Sequence, residues 1–234
     1  MDYNNSYETT YAVSDTRVSS VMKRVYLIMT VGLALTGVLA YVCGNSFGYL
    51  QWFANNSWAF WVMVIGELAI VFGVSAGINK ISTATATALF VIFAALNGLM
   101  LAPIFLAYTH VMIAKTFFIT AGVFGAMSIY GYSTDRDLSK FGSFLMMALF
   151  GLIIAMLVNI FLKSSTMDWI ISIVGVLIFV GLTAWDTQQV KNIAAVAPQD
   201  TLGRLAVLGA LNLYLDFINL FLYLLRIFGG SSRD

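Results

Sequence analysis

Seven long, nearly uncharged apolar stretches constrain this chain more than any other feature of its sequence. A hydrocarbon layer about 30 Å thick is crossed by about 20 apolar residues in helical form. Stretches of that kind run Val25–Cys43, Trp58–Gly77, Ala84–Tyr108, Met112–Tyr130, Phe141–Leu162, Trp169–Trp185 and Leu205–Phe228. The 234 residues are 60% hydrophobic and 10% charged, with a mean hydropathy of +0.89. A soluble domain is about 45–50% apolar and about 25% charged. The chain therefore reads as an all-α integral membrane protein of seven transmembrane helices. Free soluble enzymes and nucleic-acid-binding modules are excluded, the latter also because 12 Lys+Arg against 11 Asp+Glu leave no basic field. A lone cysteine, Cys43, makes no internal disulfide, and a lone histidine, His110, rules out a His/Cys metal cluster.

Residues 1–24 are polar and carry both charge signs, with no apolar core ahead of a small-residue cleavage site, so they read as a soluble tail and not a signal peptide. Residues 25–228 form the transmembrane domain and 229–234 a short C-terminal tail. Lys and Arg counts set the orientation. The N-terminal side holds Arg17, Lys23, Arg24, Lys80, Arg136, Lys140, Lys191 and Arg204, the other side Lys115, Lys163, Arg226 and Arg233. The N-terminus is expected to be cytoplasmic. Trp52, Trp58, Trp61, Tyr108, Tyr130, Tyr132, Trp169 and Trp185 fall near span ends, where aromatic anchors are found. Pro103 predicts a kink in the third span, Pro198 ends the sixth, and Gly73 with Gly77 makes a GxxxG suited to close helix approach.

Intramembrane charges cost about 2.5–3.5 kcal/mol on insertion scales and generally face protein interior or water. Here they are Glu67 in span 2, Asp186 closing span 6, and Asp216 and Arg226 in span 7. Asn212, Asp216, Asn219, Tyr223 and Arg226 recur at spacings of 4, 3, 4 and 3, so all five share one helix face. Such a stripe is either a hydrogen-bonded seam gluing the bundle or a hydrated cation path. The acid favours the path, since a seam does not need one. With standard registers Asp216 lies ~16 Å beyond Leu205 while Asp186 sits at the cytoplasmic edge, and Glu67 lies ~14 Å below the outer edge while Arg226 is at it. Sinking span 7 by two to three turns of ~5.4 Å closes both gaps. A sunken, central span 7 is therefore expected, pairing Asp216 with Asp186 and Arg226 with Glu67.

Two carboxyl groups at hydrogen-bond distance in a poorly hydrated site cannot both stay ionised, so the pair shares a proton. Raising the pH removes it, repulsion parts spans 6 and 7, and a cytoplasmic gate opens. The same oxygens, with Asn and backbone oxygens nearby, suit transient binding of a hard cation such as Ca²⁺. The cation is then cargo, and no cofactor is expected.

Three stretches make the sequence recognisable: LGALNLYLDFINLFLYLLRIFG (Leu208–Gly229), GLTAWDTQQVKN (Gly181–Asn192) and FGAMSIYGYSTDRDLSKFG (Phe124–Gly142). Together they resemble the Bax inhibitor-1 family of transmembrane proteins, most closely its bacterial members, over about residues 20 to 230. The resemblance implies seven helices with the last surrounded by the other six, and a pH-sensitive Ca²⁺ leak governed by two aspartates matching Asp186 and Asp216. It also matches Glu67 and Arg226 to the family's acid in span 2 and arginine in the last span. Some bacterial relatives latch the aspartates with an arginine near the end of span 2, where this chain reads Ser75-Ala76-Gly77-Ile78-Asn79-Lys80. Lys80 is the cation available for that latch. A bacterial inner membrane is the implied location.

An intramembrane aspartyl protease also uses aspartates on successive helices, but its GxGD is replaced here by Leu213-Tyr214-Leu215-Asp216, and no proline follows Pro198. A serine protease dyad fails because His110 and Ser143 belong to opposite membrane sides. The alternative to a channel is a non-transporting regulator that binds a membrane protease or stress and cell-death proteins, with the N-terminal tail as contact.

Overall fold

In a computed structural model of the chain, the backbone is described for residues 3–230 and the side chains for residues 16–229. Most of the N-terminal tail's side chains and, beyond Gly230, the C-terminal tail with Arg233 lie outside the described residues. The described chain is helical and contains no strand. Its helices are α1 (Tyr3–Gly44), α2 (Phe47–Asn55), α3 (Ser57–Gly77), α4 (Thr83–Leu101), α5 (Ile104–Ala107), α6 (His110–Ser133), α7 (Ser139–Leu162), α8 (Ser165–Val196) and, after a 3₁₀ turn at Gln199–Thr201, α9 (Leu202–Gly230). Seven segments are long and apolar enough to cross a membrane.

Local features refine the expected spans. α1 is helical well ahead of Val25. Val18, Val21, Met22, Val25 and Met29 are all buried, so the apolar face that a helix presents at 3–4 residue spacing continues through the charged positions, while Lys23 and Arg24 point outward. The uncharged Gly44–Ser57 connector contains α2, which starts where the Ser46 hydroxyl caps the Tyr49 N–H at 3.3 Å. Pro103 interrupts the helix between α4 and α5 inside one membrane-capable segment, Thr83–Ala107, where the sequence places a kink.

The chain forms two compact units, one of residues up to Leu106 with Gln189–Leu211, the other of Ala107–Gln188 with the residues from Asn212 onward. In the first unit α1 packs on α4. A Cβ at Gly98 would lie 2.8 Å from the Thr36 carbonyl oxygen, so only glycine permits that approach, and the Thr36 hydroxyl donates to the Ala94 carbonyl at 2.8 Å. The GxxxG of α3 does not work this way. Nothing lies within 4 Å of a Cβ placed at Gly73, and only the Ile81 side chain approaches Gly77. In the second unit the α7–α8 turn holds Lys163 in the left-handed region (φ 50°), closed by Asn159, whose amide donates to Asp168 Oδ1 at 2.7 Å and accepts from the Ser164 N–H at 3.1 Å.

α9 is the most buried of the membrane-capable segments. Two-thirds of its most apolar window, 67%, is buried, against 11–50% in the other six segments. Leu211, Leu213, Tyr214, Leu220 and Leu225 are at most 1% exposed although they point to different sides of the helix.

Candidate functional site

The second unit builds its site from small residues upward. A Cβ on Gly131 of α6 would strike the Ala184 carbonyl of α8, and one on Gly142 of α7 would strike the Trp185 indole. α8 is therefore seated closely against both neighbours just before Asp186. Trp185 is accordingly a packing residue with a buried indole N–H, not the interfacial anchor its position implies. α6 meets α9 through aromatic rings, Phe124 edge-on to Phe217 at 5.5 Å and Phe117 to Phe217 at 5.4 Å.

The carboxyl groups of Asp186 and Asp216 lie close enough to interact directly. The half-buried Asp186 lies within a continuous helix, since α8 runs ten residues further to Val196. Asp216 is 4% exposed, and its Oδ2 is buried without a hydrogen-bond partner. Because an ionised carboxylate only accepts, a bond between two carboxyl groups requires a proton on one of them. The remaining Asp216 oxygen is a buried acceptor available to a cation or water. Among the described residues no three His, Cys, Asp or Glu side chains gather to hold a metal, so a bound cation would have the two aspartates as its only acidic ligands.

Gln188, which the sequence reading passed over, fastens this site to the α6–α7 loop. Its Oε1 accepts from the Leu138 N–H at 2.8 Å and its Nε2 donates to the Arg136 carbonyl at 2.8 Å. The Asp135-Arg136-Asp137 turn is thus tied to α8 two residues beyond Asp186.

The other expected site residues are placed less uniformly. Asn212 and Asn219 are half-buried, and the Asn219 amide turns back to the Leu215 carbonyl of its own helix at 2.8 Å. Tyr223 is buried, stacked on Phe179 at 5.9 Å, with its hydroxyl on the Met156 sulfur at 3.3 Å. The exposed Arg226 lies 5.7 Å from the Tyr223 ring centre. In the first unit Glu67 accepts from the Asn97 amide at 3.2 Å. Glu67 and Arg226 each have a contact inside their own unit. Lys80 is exposed, in a turn whose Asn79 carbonyl accepts from Arg204 at 2.9 Å.

The family model described as "Inhibitor of apoptosis-promoting Bax1" matches residues 18–233. The chain belongs to the Bax inhibitor-1 family. Its relatives in that family include the inner membrane protein YbhL of Escherichia coli K12, 49% identical over 91% of this chain and 92% of the relative. An uncharacterized protein of Rickettsia prowazekii is 43% identical over the full length of both. A membrane protein of Streptococcus pyogenes is 37% identical over 95% of this chain and 97% of its own. Membership makes this a multi-pass membrane protein of that family, in keeping with the seven membrane-capable helices.

Proposed function

We propose that this Bax inhibitor-1 family member is a non-enzymatic, pH-gated leak for cations, Ca²⁺ foremost, in a bacterial inner membrane, with its N-terminus cytoplasmic. The observation that carries the reading is the apposition of Asp186 and the buried Asp216 on neighbouring helices. Two carboxyl groups so placed share one proton. When it leaves, two like charges in a low-dielectric site repel strongly, and α8 and α9 part where each carries its aspartate. The pair is then both sensor and gate, and its oxygens are the hard ligands that a departing Ca²⁺ exchanges for water. Asn212, Asn219 and Tyr223 continue the path along α9, Glu67 and Arg226 support it through Asn97 and the Tyr223 ring, and Lys80 is the candidate latch. The inner-membrane assignment draws on the printed name of the Escherichia coli relative.

The test is Ca²⁺ entry into dye-loaded proteoliposomes between pH 5.5 and 8, comparing the intact protein with Asp216→Asn. The expected result is a flux that rises with pH in the intact protein and loses its pH dependence in the variant. Absence of flux from folded, inserted protein overturns the leak reading in favour of a non-transporting regulator that binds a membrane protease.

A further inference from the structure

The buried face of α6 carries a polar feature that the aspartate gate does not use. Its buried residues are Thr116, Thr120, Phe124, Ser128 and Gly131, spaced at 4, 4, 4 and 3 along one side of a helix whose sequence is otherwise largely apolar. Thr116 and Thr120 are 0% exposed and Ser128 5%.

The chain supplies its own control for what a structural hydroxyl does here. Serines and threonines in apolar helices ordinarily bond back to the carbonyl four residues earlier. In the second unit six do so at 2.7–3.0 Å: Thr120 to Thr116, Ser133 to Ile129, Ser143 to Ser139, Ser172 to Asp168, Thr183 to Phe179 and Thr187 to Thr183. Thr116 and Ser128 do not. Their hydroxyls are buried and have no hydrogen-bond partner. A buried polar group held unpaired when a back-bond is within reach is placed to meet something else.

The neighbours of this face say where it leads. Phe124, one turn before Ser128, packs on Phe217, next in sequence to Asp216. Gly131, three residues after Ser128, abuts the Ala184 carbonyl, two residues before Asp186. Ser128 thus sits between the α6 contacts to the flanks of both aspartates. Asp216 Oδ2 is the third buried, unpartnered oxygen of this unit. Thr116 lies twelve residues from Ser128, about 18 Å along the helix axis, more than half of a hydrocarbon layer about 30 Å thick.

We infer that Thr116 and Ser128 form one wall of the route by which a hydrated cation passes to and from the aspartate pair. This rests on the leak reading and names its second wall, opposite the polar stripe of α9. Hydroxyl oxygens suit the task because they replace part of a hard cation's water shell without adding a charge that would trap it.

The experiment uses the full chain with Cys43→Ala, which removes the native thiol, and adds Ser128→Cys, Thr116→Cys or, as a buried apolar control on α7, Leu152→Cys. Protein in liposomes is treated with a cationic methanethiosulfonate reagent at pH 8 and pH 5.5, and adduct formation is followed by intact mass. The expected result is labelling at 128 and 116 at least tenfold faster than at 152, and faster at pH 8. Equal, slow labelling at all three positions overturns the inference. Ca²⁺ flux through Ser128→Ala and Thr116→Val is measured alongside and is expected to fall several-fold, with Ser128→Thr retaining it. Labelling accompanied by unchanged flux in these variants also overturns the inference. No flux in the unsubstituted protein overturns the leak reading itself, which the labelling rates do not depend on.

Discussion

Gln188 is bonded to two main-chain groups of the loop between α6 and α7, and replacing it by alanine has a calculable effect. Two hydrogen bonds of 2.8 Å are lost, and the Leu138 N–H, buried where it meets Gln188, is left without an acceptor. Each lost bond is worth about 0.5–1.5 kcal/mol net, and a stranded buried donor costs about 1–3 kcal/mol. The combined effect of about 2–4 kcal/mol is local, because the loop opens without the bundle unfolding. At 1.4 kcal/mol per tenfold, opening becomes roughly 30- to 1,000-fold more frequent. Hydrogen–deuterium exchange of the peptide spanning 134–140 in detergent or nanodiscs reads this directly. Gln188→Ala should accelerate exchange there within that range and leave α6 and α7 interiors unchanged. Gln188→Glu, which keeps the acceptor for Leu138 but loses the donor to Arg136, should fall between. Exchange in Gln188→Ala within threefold of the unsubstituted protein would refute the claim that this amide holds the loop.

Further expectations concern single positions. Gly142→Ala drives a methyl into the Trp185 indole and should cost about 1–3 kcal/mol, seen as a lower melting temperature and altered tryptophan fluorescence; Gly122→Ala, with nothing within 4 Å of the new carbon, should stay within about 0.5 kcal/mol of the parent. Lys163→Asn, at the one described non-glycine residue with positive φ, should raise the melting temperature by relieving part of a strain of about 1–2 kcal/mol. At the exposed Asp137, bonds from the Ser139 hydroxyl and N–H hold the carboxyl below its usual 3.8. A lowered carboxyl contributes stability that is fully present above the unfolded value and is lost as pH falls through the folded one. The first turn of α7 should thus exchange faster only in acid below about pH 4, and Asp137→Asn should flatten that dependence.

How much of this was legible in the sequence varies with how periodic the signal is. The seven spans and the meeting of Asp186 with Asp216 follow from apolar length, the 4-3-4-3 stripe and a depth mismatch. The buried face of α1 continues ahead of Val25 through Val18 and Met22, and Lys23 and Arg24 hide it in the sequence. Connectors read as featureless because their signals are single residues: Ser46 capping α2, or Gln188, whose amide is indistinguishable in sequence from a solvated one. Asn97, a neutral amide on the helix next in sequence, gives Glu67 a hydrogen-bond donor that a depth argument comparing charges alone does not find. The GxxxG failed for the opposite reason. Gly73 and Gly77 match a pattern, but close approach occurs at Gly98, where a threonine hydroxyl rather than a second glycine completes the contact.

The aspartate on α9 also bears on assembly. A helix with an acid in a polar stripe is poorly tolerated by lipid on its own, and within the second unit α9 finds its shelter where Asp216 meets Asp186 and Phe217 meets Phe124. Until those contacts form, the carboxyl of Asp216 faces lipid and the buried face of α6, Ser128 among its residues, lacks its neighbour. Docking of this one helix is thus an event that quality control can monitor, and the aspartate that serves the finished site is also the residue that marks an unfinished one.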